Sequence, residues 1–264
     1  MKRAIIILGI LGLLGFIAFK VLFAKEHFVS VLVFSKTESF RHDSIDEGKT
    51  AIMALGKKHG FNVDTTEDAS VFKEVSLQKY NVVVFLNTTG DVLDEAQQLE
   101  FNRFIQAGGG YVGIHAAADT EYEWPWYGQL VGAYFNGHPN DPNVREADIQ
   151  LIDGTHESSS MLPEIWHRND EWYNYKEIQS DITVLLNLDE TSYEGGTNGE
   201  NHPIAWYHEF DGGRAWYTGL GHTPESFSED LFLDHLLGGI NYAAGPAERL
   251  DFSNANVAPE ENRF

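Results

Sequence analysis

The sequence predicts an α/β fold in which a parallel sheet lies between two layers of helices, a three-layer sandwich. Apolar runs rich in β-branched and aromatic residues at 28–35, 81–88 and 111–115 have the composition of strands buried on both faces. Segments with the apolar spacing of helices lie between them, so strands and helices alternate along the chain. At 264 residues the chain is long enough for one large domain of this kind.

The first part of the chain is predicted to contain a strand, a helix and a second strand. The run 28–35 is the first strand. Ser44 and Glu47 have the spacing of a capping box, so a helix is predicted to begin there and to end at Gly60. A short strand is predicted at 61–64.

A third strand, a helix and a fourth strand are predicted next. The third strand is the run 81–88. Asp94 and Gln97 form a second capping pattern, and the helix that they open ends near Ala107. The fourth strand, Tyr111–His115, completes a β-α-β-β-α-β order, which predicts a parallel sheet.

The segment 120–180 is less regular and is rich in Trp, Tyr, Asn and His. It is predicted to form loops and short helices over the carboxyl ends of the strands, where open α/β sheets bind ligands. Further strands are predicted at 147–152 and 181–188.

The end of the domain is predicted to contain a β-hairpin followed by a helix. Asp211-Gly212-Gly213 separates two strand-like runs, 203–209 and 214–220. Ser226 and Glu229 form a third capping pattern before the last helix.

Three regions divide the chain. Residues 1–24 combine a basic start with an apolar run, which is typical of a signal peptide or an uncleaved signal anchor. One domain is predicted over 25–245, followed by a polar tail at 246–264. The protein is therefore expected to be exported, either periplasmic, extracellular or anchored with the domain outside, and to contact the membrane only through its N-terminal segment. The chain has no cysteine, so disulfides and a lipoprotein anchor are excluded.

The net charge is -22, and no basic cluster follows Lys58. Nucleic-acid binding needs Lys and Arg to neutralise phosphates, so it is not expected. The acidity either serves solubility or attracts cations, including a metal ion. The oligomeric state is left open by the composition.

Three histidines follow predicted buried strands: His42, His115 and His222. The carboxyl ends of parallel strands share one edge of a sheet, so these side chains are expected to converge and to hold a divalent metal ion, zinc or a similar one. The alternative is that each is an ordinary solvent-exposed or hydrogen-bonded histidine. No pair has the short spacing of a zincin, so such a site would be assembled from distant segments.

Catalytic groups are predicted at Glu171, His138 and Asp119. Glu171 precedes Trp172 and Tyr173, and an apolar setting of this kind raises the pKa of a carboxyl toward that of a general base. The alternative is that Asp170 and Glu171 simply cap or solvate a turn.

Flat aromatic rings beside polar groups suit the binding of sugars. Most of these rings are expected to pack in the core or brace loops, and the alternative is that they line a cleft that binds a small-molecule carbohydrate. The predicted substrate-binding residues are Trp124, Trp126, Tyr127, Trp172, Tyr173 and His202.

Several common motifs do not occur. There is no Gly-x-Ser-x-Gly elbow, and the strand-to-helix corner where α/β hydrolases hold their nucleophile carries His115. Without Gly-x-Gly-x-x-Gly or a P-loop, no nucleotide cofactor is expected.

The chain resembles the trehalose-utilisation (ThuA-like) family over about residues 28–245. The matching segments are Phe40-Arg41-His42, Gly113-Ile114-His115-Ala116-Ala117-Ala118-Asp119, Trp124-Pro125-Trp126-Tyr127, Gly137-His138-Pro139, Asp170-Glu171-Trp172-Tyr173, His202-Pro203-Ile204-Ala205-Trp206, Gly212-Gly213-Arg214 and Gly219-Leu220-Gly221-His222. The resemblance implies a class I glutamine-amidotransferase-like (flavodoxin-like) fold without the amidotransferase cysteine. It carries over six site residues: His42, His115, His138, Glu171, His202 and His222.

The resemblance also implies carbohydrate processing, with breakdown of disaccharides through 3-keto derivatives. Our hypothesis is that the protein cleaves or modifies a 3-keto-glycoside by metal-assisted acid-base chemistry. One alternative is a non-catalytic sugar-binding module on the same scaffold. Another is a hydrolase of unoxidised glycosides that uses two of the carboxylates Asp119, Asp170 and Glu171. The export signal favours a periplasmic or surface glycoside over trehalose itself.

Overall fold

The computed structural model describes residues 29–246 and 250–256. The strands are β1 (Ser30–Phe34), β2 (Asn62–Thr66), β3 (Val82–Leu86), β4 (Gly110–Ile114), β5 (Tyr134–Phe135), β6 (Val144–Leu151), β7 (Ile165–Glu171), β8 (Tyr175–Lys176), β9 (Thr183–Asp189), β10 (Pro203–Phe210) and β11 (Gly213–Thr218). The helices are α1 (Ile45–His59), α2 (Glu74–Leu77), α3 (Glu95–Gln106), α4 (Pro125–Val131) and α5 (Asp230–Ala244).

Nine of these strands form one mixed sheet in the order β2-β1-β3-β4-β11-β10-β9-β6-β7. The first five strands are parallel to their neighbours. From β10 onward each strand is antiparallel to the one before it. The short strands β5 and β8 pair separately. The α/β class and the hairpin β10–β11 are confirmed, and the antiparallel strands extend the predicted parallel sheet.

Helices cover both faces of the parallel half of the sheet. On one face α5 packs on β11 and β4, and α1 packs beside it. On the other face α3 packs with α2, and the ring of Trp126 in α4 lies edge-on to Phe101 in α3. The central strands have the fully buried apolar side chains that are expected when helices cover both faces of a sheet, as in Val82–Leu86. The predicted three-layer sandwich is therefore present.

One predicted capping box is confirmed and two are wrong. Asp94 and Gln97 exchange both hydrogen bonds at the start of α3. Ser44 makes no side-chain cap of α1, and its Oγ instead donates to the carbonyl oxygen of Gly221 at 3.1 Å. Ser226 lies inside a 3-10 helix capped by Thr223, and α5 begins without a side-chain cap. Both serines are buried, so their hydroxyls bond to tertiary partners and not to free helix amides.

The segment predicted as loops and short helices contains α4 but also the strand β7. Side chains alternate between exposed and buried along β7, as in any half-buried strand. Two of the buried positions, however, are Arg168 and Asp170. Charged residues on the inner face hide the usual alternation of apolar and polar residues, so the strand pattern was not recognisable.

The predicted signal segment, 1–24, lies outside the described residues. Of the predicted tail, Asp251 donates its backbone N–H to the carbonyl oxygen of Ala107, and Asn256 donates to the side chain of Gln106. These contacts tie residues 250–256 to the end of α3. Within the part of the chain that the structure describes, no helix is both long and apolar enough to cross a membrane.

Candidate metal centre

The carboxyl ends of three central strands lie level with one another. Leu86 at the end of β3 pairs with Ile114 at the end of β4, and Ile114 pairs with Thr218 at the end of β11. The next residues therefore emerge at the same edge, and they are Asn87, His115 and Gly219. Open α/β sheets bind ligands at this edge.

Three histidines and one glutamate meet at this edge. His42 follows β1, His115 follows β4 and His222 follows β11, while Glu171 is the last residue of β7. One ligand atom from each residue lies within 4.8 Å of the other three. The structure thus brings together the three histidines expected to converge, and it adds Glu171, which the sequence indicated only as a catalytic carboxylate. We call these four residues the His3Glu cluster.

The separations within the His3Glu cluster fit a single cation. Nε2 of His115 lies 3.2 Å from Nδ1 of His222, and Oε2 of Glu171 lies 3.3 and 3.0 Å from these two nitrogens. Ligands bound at about 2.0–2.1 Å to a tetrahedral zinc ion lie about 3.3 Å from one another. Nitrogen lone pairs and a carboxylate oxygen this close repel one another unless a proton or a cation lies between them.

His115 directs one lone pair into the cluster. Its Nδ1 lies 2.8 Å from the carbonyl oxygen of Gly219, which can only accept, so Nδ1 carries the proton and Nε2 is free to bind a cation. The backbone of His115 has a φ of 49°, a region that costs a residue other than glycine about 1–3 kcal/mol. The hydroxyl of Tyr217 donates to its carbonyl oxygen at 2.7 Å and helps to hold this conformation.

His42 is buried and incompletely hydrogen-bonded. Only 3% of its surface is exposed, and its Nδ1 has no hydrogen-bond partner among the described residues. Burial, and then the neighbouring His115 and His222, lower its pKa from 6.5 to about 2, so the ring stays neutral and keeps a lone pair. A buried polar atom without a partner is costly, and a bound cation would remove part of that cost for a ring nitrogen.

Glu171 is ionised in this setting. Burial favours its neutral form, but a proton shared with His115 or His222 forms a hydrogen bond that outweighs burial and holds the pKa of Glu171 well below its usual range, and a cation bound in place of that proton would act in the same direction. The expectation of a raised pKa beside Trp172 is therefore wrong, because the carboxylate faces histidines and not the indole ring. Asn143 also donates to Oε1 of Glu171 at 2.7 Å. A carboxylate with a lowered pKa suits cation binding better than it suits the role of a general base.

Two further titratable groups lie beside the cluster. Nε2 of His138 is 3.5 Å from Oε1 of Glu171, and a quarter of the His138 side chain is exposed (26%). Asp119 accepts a hydrogen bond of 2.7 Å from the hydroxyl of Tyr122. Burial raises the pKa of Asp119 above its ordinary value, although the bond from Tyr122 opposes this. Both groups are therefore suited to proton transfer beside a bound cation.

The ring of Tyr173 forms one wall of the site. Its centroid lies 4.1 Å from the ring of His115 and 4.1 Å from that of Phe135. His202 supports this wall, because its Nε2 lies 2.8 Å from the Tyr173 carbonyl oxygen and its Nδ1 lies 2.7 Å from Glu190. His202 is fully buried, so contact between it and a sugar has no support in this geometry.

Four of the aromatic residues predicted to bind substrate lie away from the cluster or inside the core. Tyr127 and Trp172 have no exposed surface. Trp124 and Trp126 stack on each other, and Trp126 donates to Asp211 in the β10–β11 turn at the opposite edge of the sheet. These rings brace the fold in the way that the core-packing alternative describes, and their predicted contact with sugar has no support here.

Asp170 is not available as a second catalytic carboxylate. It is fully buried, and its two oxygens accept hydrogen bonds from the backbone amides of Glu171, Gly221 and His222. A hydrolase that works through two free carboxylates therefore gains no support from this arrangement.

Sequence reasoning missed two residues at the site. Phe40 is 63% exposed, and its ring packs edge-on against the ring of His42 at 4.9 Å. Its place two residues before a candidate ligand was the available signal. Asn143, which bonds Glu171, gave no signal, since the contact spans 28 residues of chain.

The chain was compared with known proteins. It matches the model of the ThuA family, described as trehalose utilisation, over residues 30–243. No curated protein matches it. A ThuA-like protein from Bacteroides uniformis ATCC 8492 is 24% identical with a TM-score of 0.71, over 83% of this chain and 92% of that one. A second, from Parabacteroides merdae ATCC 43184, is 20% identical with a TM-score of 0.66, over 82% and 90%.

A β-galactosidase from Bacillus circulans sp. alkalophilus is also similar, at 15% identity and a TM-score of 0.54, with 84% of this chain aligned to 32% of that one. At these identities the solved structures show a shared fold alone. The family model, in contrast, covers most of this sequence. The chain belongs to the trehalose-utilisation (ThuA) family.

Proposed function

We propose that the His3Glu cluster binds one divalent cation, zinc or a similar ion, and that the protein cleaves or modifies a 3-keto-glycoside there. The convergence of four ligand atoms within 4.8 Å at the ligand-binding edge of the sheet carries the proposal. The carbohydrate substrate class is taken from the family description, trehalose utilisation.

The cation would supply a Lewis acid for a carbonyl oxygen of the substrate. The residues of the chain supply the rest. His115, His222 and Glu171 hold the ion, and His42 completes the ligand set with a neutral ring nitrogen. His138 and Asp119 remain outside the ligand set, and the side chain of His138 is partly exposed beside Glu171.

A ketone at C3 of a sugar acidifies the proton on C2, so the bond between C1 and the glycosidic oxygen can break by elimination. The base removes the C2 proton, the C1–C2 double bond forms, and the electron pair of the C1–O bond leaves with the oxygen. A general acid returns a proton to that oxygen, which gives a free alcohol and an unsaturated keto-sugar. We assign the base to His138, whose Nδ1 donates to the carbonyl oxygen of Pro139 at 3.0 Å, so that the lone pair of the neutral ring lies on Nε2. Asp119 is assigned as the acid, because burial raises its pKa.

Phe40 is the surface on which we propose that the sugar ring stacks. The Phe40 ring is 63% exposed, and the apolar C–H face of a pyranose is a suitable partner for such a flat aromatic surface. A sugar stacked on Phe40 would lie next to the cluster, because the Phe40 ring packs against that of His42.

The test is sugar release by the purified chain. Incubated with 3-keto-trehalose and with a 3-keto-β-glucoside, the protein is expected to release the leaving alcohol, and a chelator is expected to stop release until zinc is returned. Glu171→Gln, which removes the charged ligand, should behave like chelated protein. The control is His167→Ala, since His167 is an exposed histidine of β7 paired with Asp148 outside the cluster.

Three other outcomes would each overturn part of the proposal. Release that continues in the presence of the chelator would show that the reaction needs no cation, although the protein would still be an enzyme. Binding of either sugar without release would favour the non-catalytic sugar-binding module. Release from a plain nitrophenyl glycoside would favour a hydrolase of unoxidised substrates.

A further inference from the structure

The fully buried side chain of Asn87 contacts all three chain segments that carry the histidines of the cluster. Its Nδ2 donates to Oγ of Ser44 at 3.0 Å and to the carbonyl oxygen of Gly221 at 3.2 Å. Its Oδ1 accepts from the backbone N–H of Ala116 at 3.3 Å. A single amide thus uses both of its donors and its acceptor on three separate segments.

Each of these contacts lies within two residues of a candidate ligand. Ser44 follows His42 by two residues, Ala116 directly follows His115, and Gly221 directly precedes His222. Ser44 also donates its hydroxyl to the carbonyl oxygen of Gly221 at 3.1 Å, which closes a triangle of hydrogen bonds. The relative positions of the three histidine backbones are therefore set around one side chain.

Asp170 holds the same region from the other side. Its Oδ1 accepts from the backbone amides of Glu171 at 3.0 Å and of His222 at 3.1 Å, and its Oδ2 accepts from Gly221 at 2.9 Å. Arg168 donates to Oδ2 at 3.1 Å and balances its charge. The Gly221–His222 peptide therefore lies between two buried polar side chains, and the amide of Glu171 is tied to it through Asp170.

We propose that Asn87 and Asp170 are positioning residues that set the spacing of the four metal ligands, an inference that rests on the metal site proposed above. Side chains behind the ligands usually orient the ligands and govern metal affinity, and their loss typically weakens binding about 10–100-fold. Here Asn87 and Asp170 would orient the ligands mainly through the backbone, because they bond to peptide groups at or beside the ligands and not to the ligand side chains.

The backbone of Asn87 supports a dedicated role. Its φ is 50°, in the left-handed region where asparagine is tolerated better than most residues. Its own N–H bonds the carbonyl oxygen of Ile114 at 3.3 Å. Glycine accepts this conformation without strain, so Asn87→Gly removes the three side-chain contacts and leaves the turn possible.

The experiment measures zinc affinity by competition with a chromophoric chelator, together with the free energy of unfolding in urea, for full-length variants. Asn87→Gly is expected to bind zinc about 10–100-fold more weakly than the wild type. Ser44→Ala, a milder change that keeps Asn87, is expected to lose less affinity. The matched control is Asn102→Ala, since Asn102 is another buried asparagine that lies in α3. It should lose stability without losing zinc affinity.

The outcomes separate this inference from the metal site itself. Zinc affinity equal to the wild type in folded Asn87→Gly would overturn the positioning role and leave the metal site standing. An equal loss of affinity in Asn102→Ala would also overturn it, because the effect would then follow stability alone. If Asn87→Gly does not fold, unchanged affinity in Ser44→Ala would be the contradicting result. A wild-type protein that binds no zinc would overturn the metal site and the inference together.

Discussion

His115 shows at the scale of one residue how backbone and side chain jointly prepare a ligand. Its left-handed φ places it at the corner after β4, and the Gly219 carbonyl oxygen fixes the proton on Nδ1. The sequence predicted its position, because a buried strand ends directly before it. It could not predict the tautomer, since Gly219 becomes a neighbour only when β11 pairs with β4.

Glu171 shows the limit of local reasoning at this scale. Trp172 and Tyr173 follow it in sequence and suggested an apolar setting, whereas its contacts in space are His115, His222 and Asn143. The direction of its pKa shift depends on those contacts, which join parts of the chain far apart in sequence. A carboxylate's role is therefore assigned from its partners in the folded chain.

Phe40→Ala tests the proposed stacking surface. If the ring–sugar contact contributes as much as an aromatic pair, about 0.5–1.5 kcal/mol, KM for a 3-keto-glycoside should rise by up to about tenfold while bound zinc is unchanged. Phe40→Trp should retain a low KM. The control is Val75→Ala, because Val75 is equally exposed at 64% but lies in α2. An unchanged KM in Phe40→Ala would remove Phe40 from the site.

At the scale of elements, strand ends and helix caps were predicted with unequal success. The cap of α3 is formed by local partners and was correctly predicted from Asp94 and Gln97. Ser44 and Ser226 have the same local pattern, but each is buried against distant partners, Gly221 and Arg168, which a local pattern does not contain. Likewise, the buried face of β7 carries Arg168 and Asp170, which bond to residues far away in the sequence. Local chemistry was predictable, and long-range polar pairing was not.

The packing of α5 on β11 predicts a pH dependence of stability. His235 in α5 is fully buried, and its Nδ1 donates to the Ser158 carbonyl oxygen. Burial, with a smaller opposing effect of Ser158 and a further lowering by Arg168 and His156, lowers its pKa from 6.5 to about 3. As pH falls from 6.5 toward 3 the unfolded chain takes up a proton that the folded chain does not. The free energy of unfolding therefore falls, by at most about 1.4 kcal/mol per pH unit.

Urea unfolding at pH 7.5, 6 and 5 measures this contribution against His235→Asn, which keeps a donor for Ser158 and does not titrate. The stability advantage of the wild type should shrink as pH falls, because only in the wild type does protonation of His235 in the unfolded chain lower the free energy of unfolding. Parallel curves for the two proteins would show that His235 is protonated in the folded state or that the helix opens around it.

At the scale of the whole molecule, the sheet order explains why the site lies where it does. The parallel half brings the ends of β1, β4 and β11 to one edge, which the alternation of strands and helices predicted. The antiparallel strands continue the sheet beyond β11, and β7 is the last of them. Asp170 in β7 nevertheless contacts the turn after β11, because its carboxylate accepts the N–H of Gly221. This contact brings the fourth ligand, Glu171, to the site, and no periodicity in the sequence indicates it.

The net charge of -22 predicts how metal uptake should depend on salt. The Debye length is about 30 Å at 0.01 M ionic strength and about 8 Å at 0.15 M, so salt screens the attraction of surface acids for a divalent ion. A cation held by the buried His3Glu cluster is bound by direct coordination and is screened much less.

Equilibrium dialysis against zinc should therefore show several ions per chain at low salt, falling to about one when sodium nitrate is raised well above 0.15 M. Glu171→Gln keeps almost all of the surface charge and loses one ligand of the cluster, so it should bind about one ion fewer than the wild type at low salt and approach zero at high salt. Uptake by the wild type that also falls to zero would mean that the zinc was held by surface acids alone. The cluster would then need another cation, or a proton shared between Glu171 and its two histidines, to account for atoms 3.0 and 3.3 Å apart.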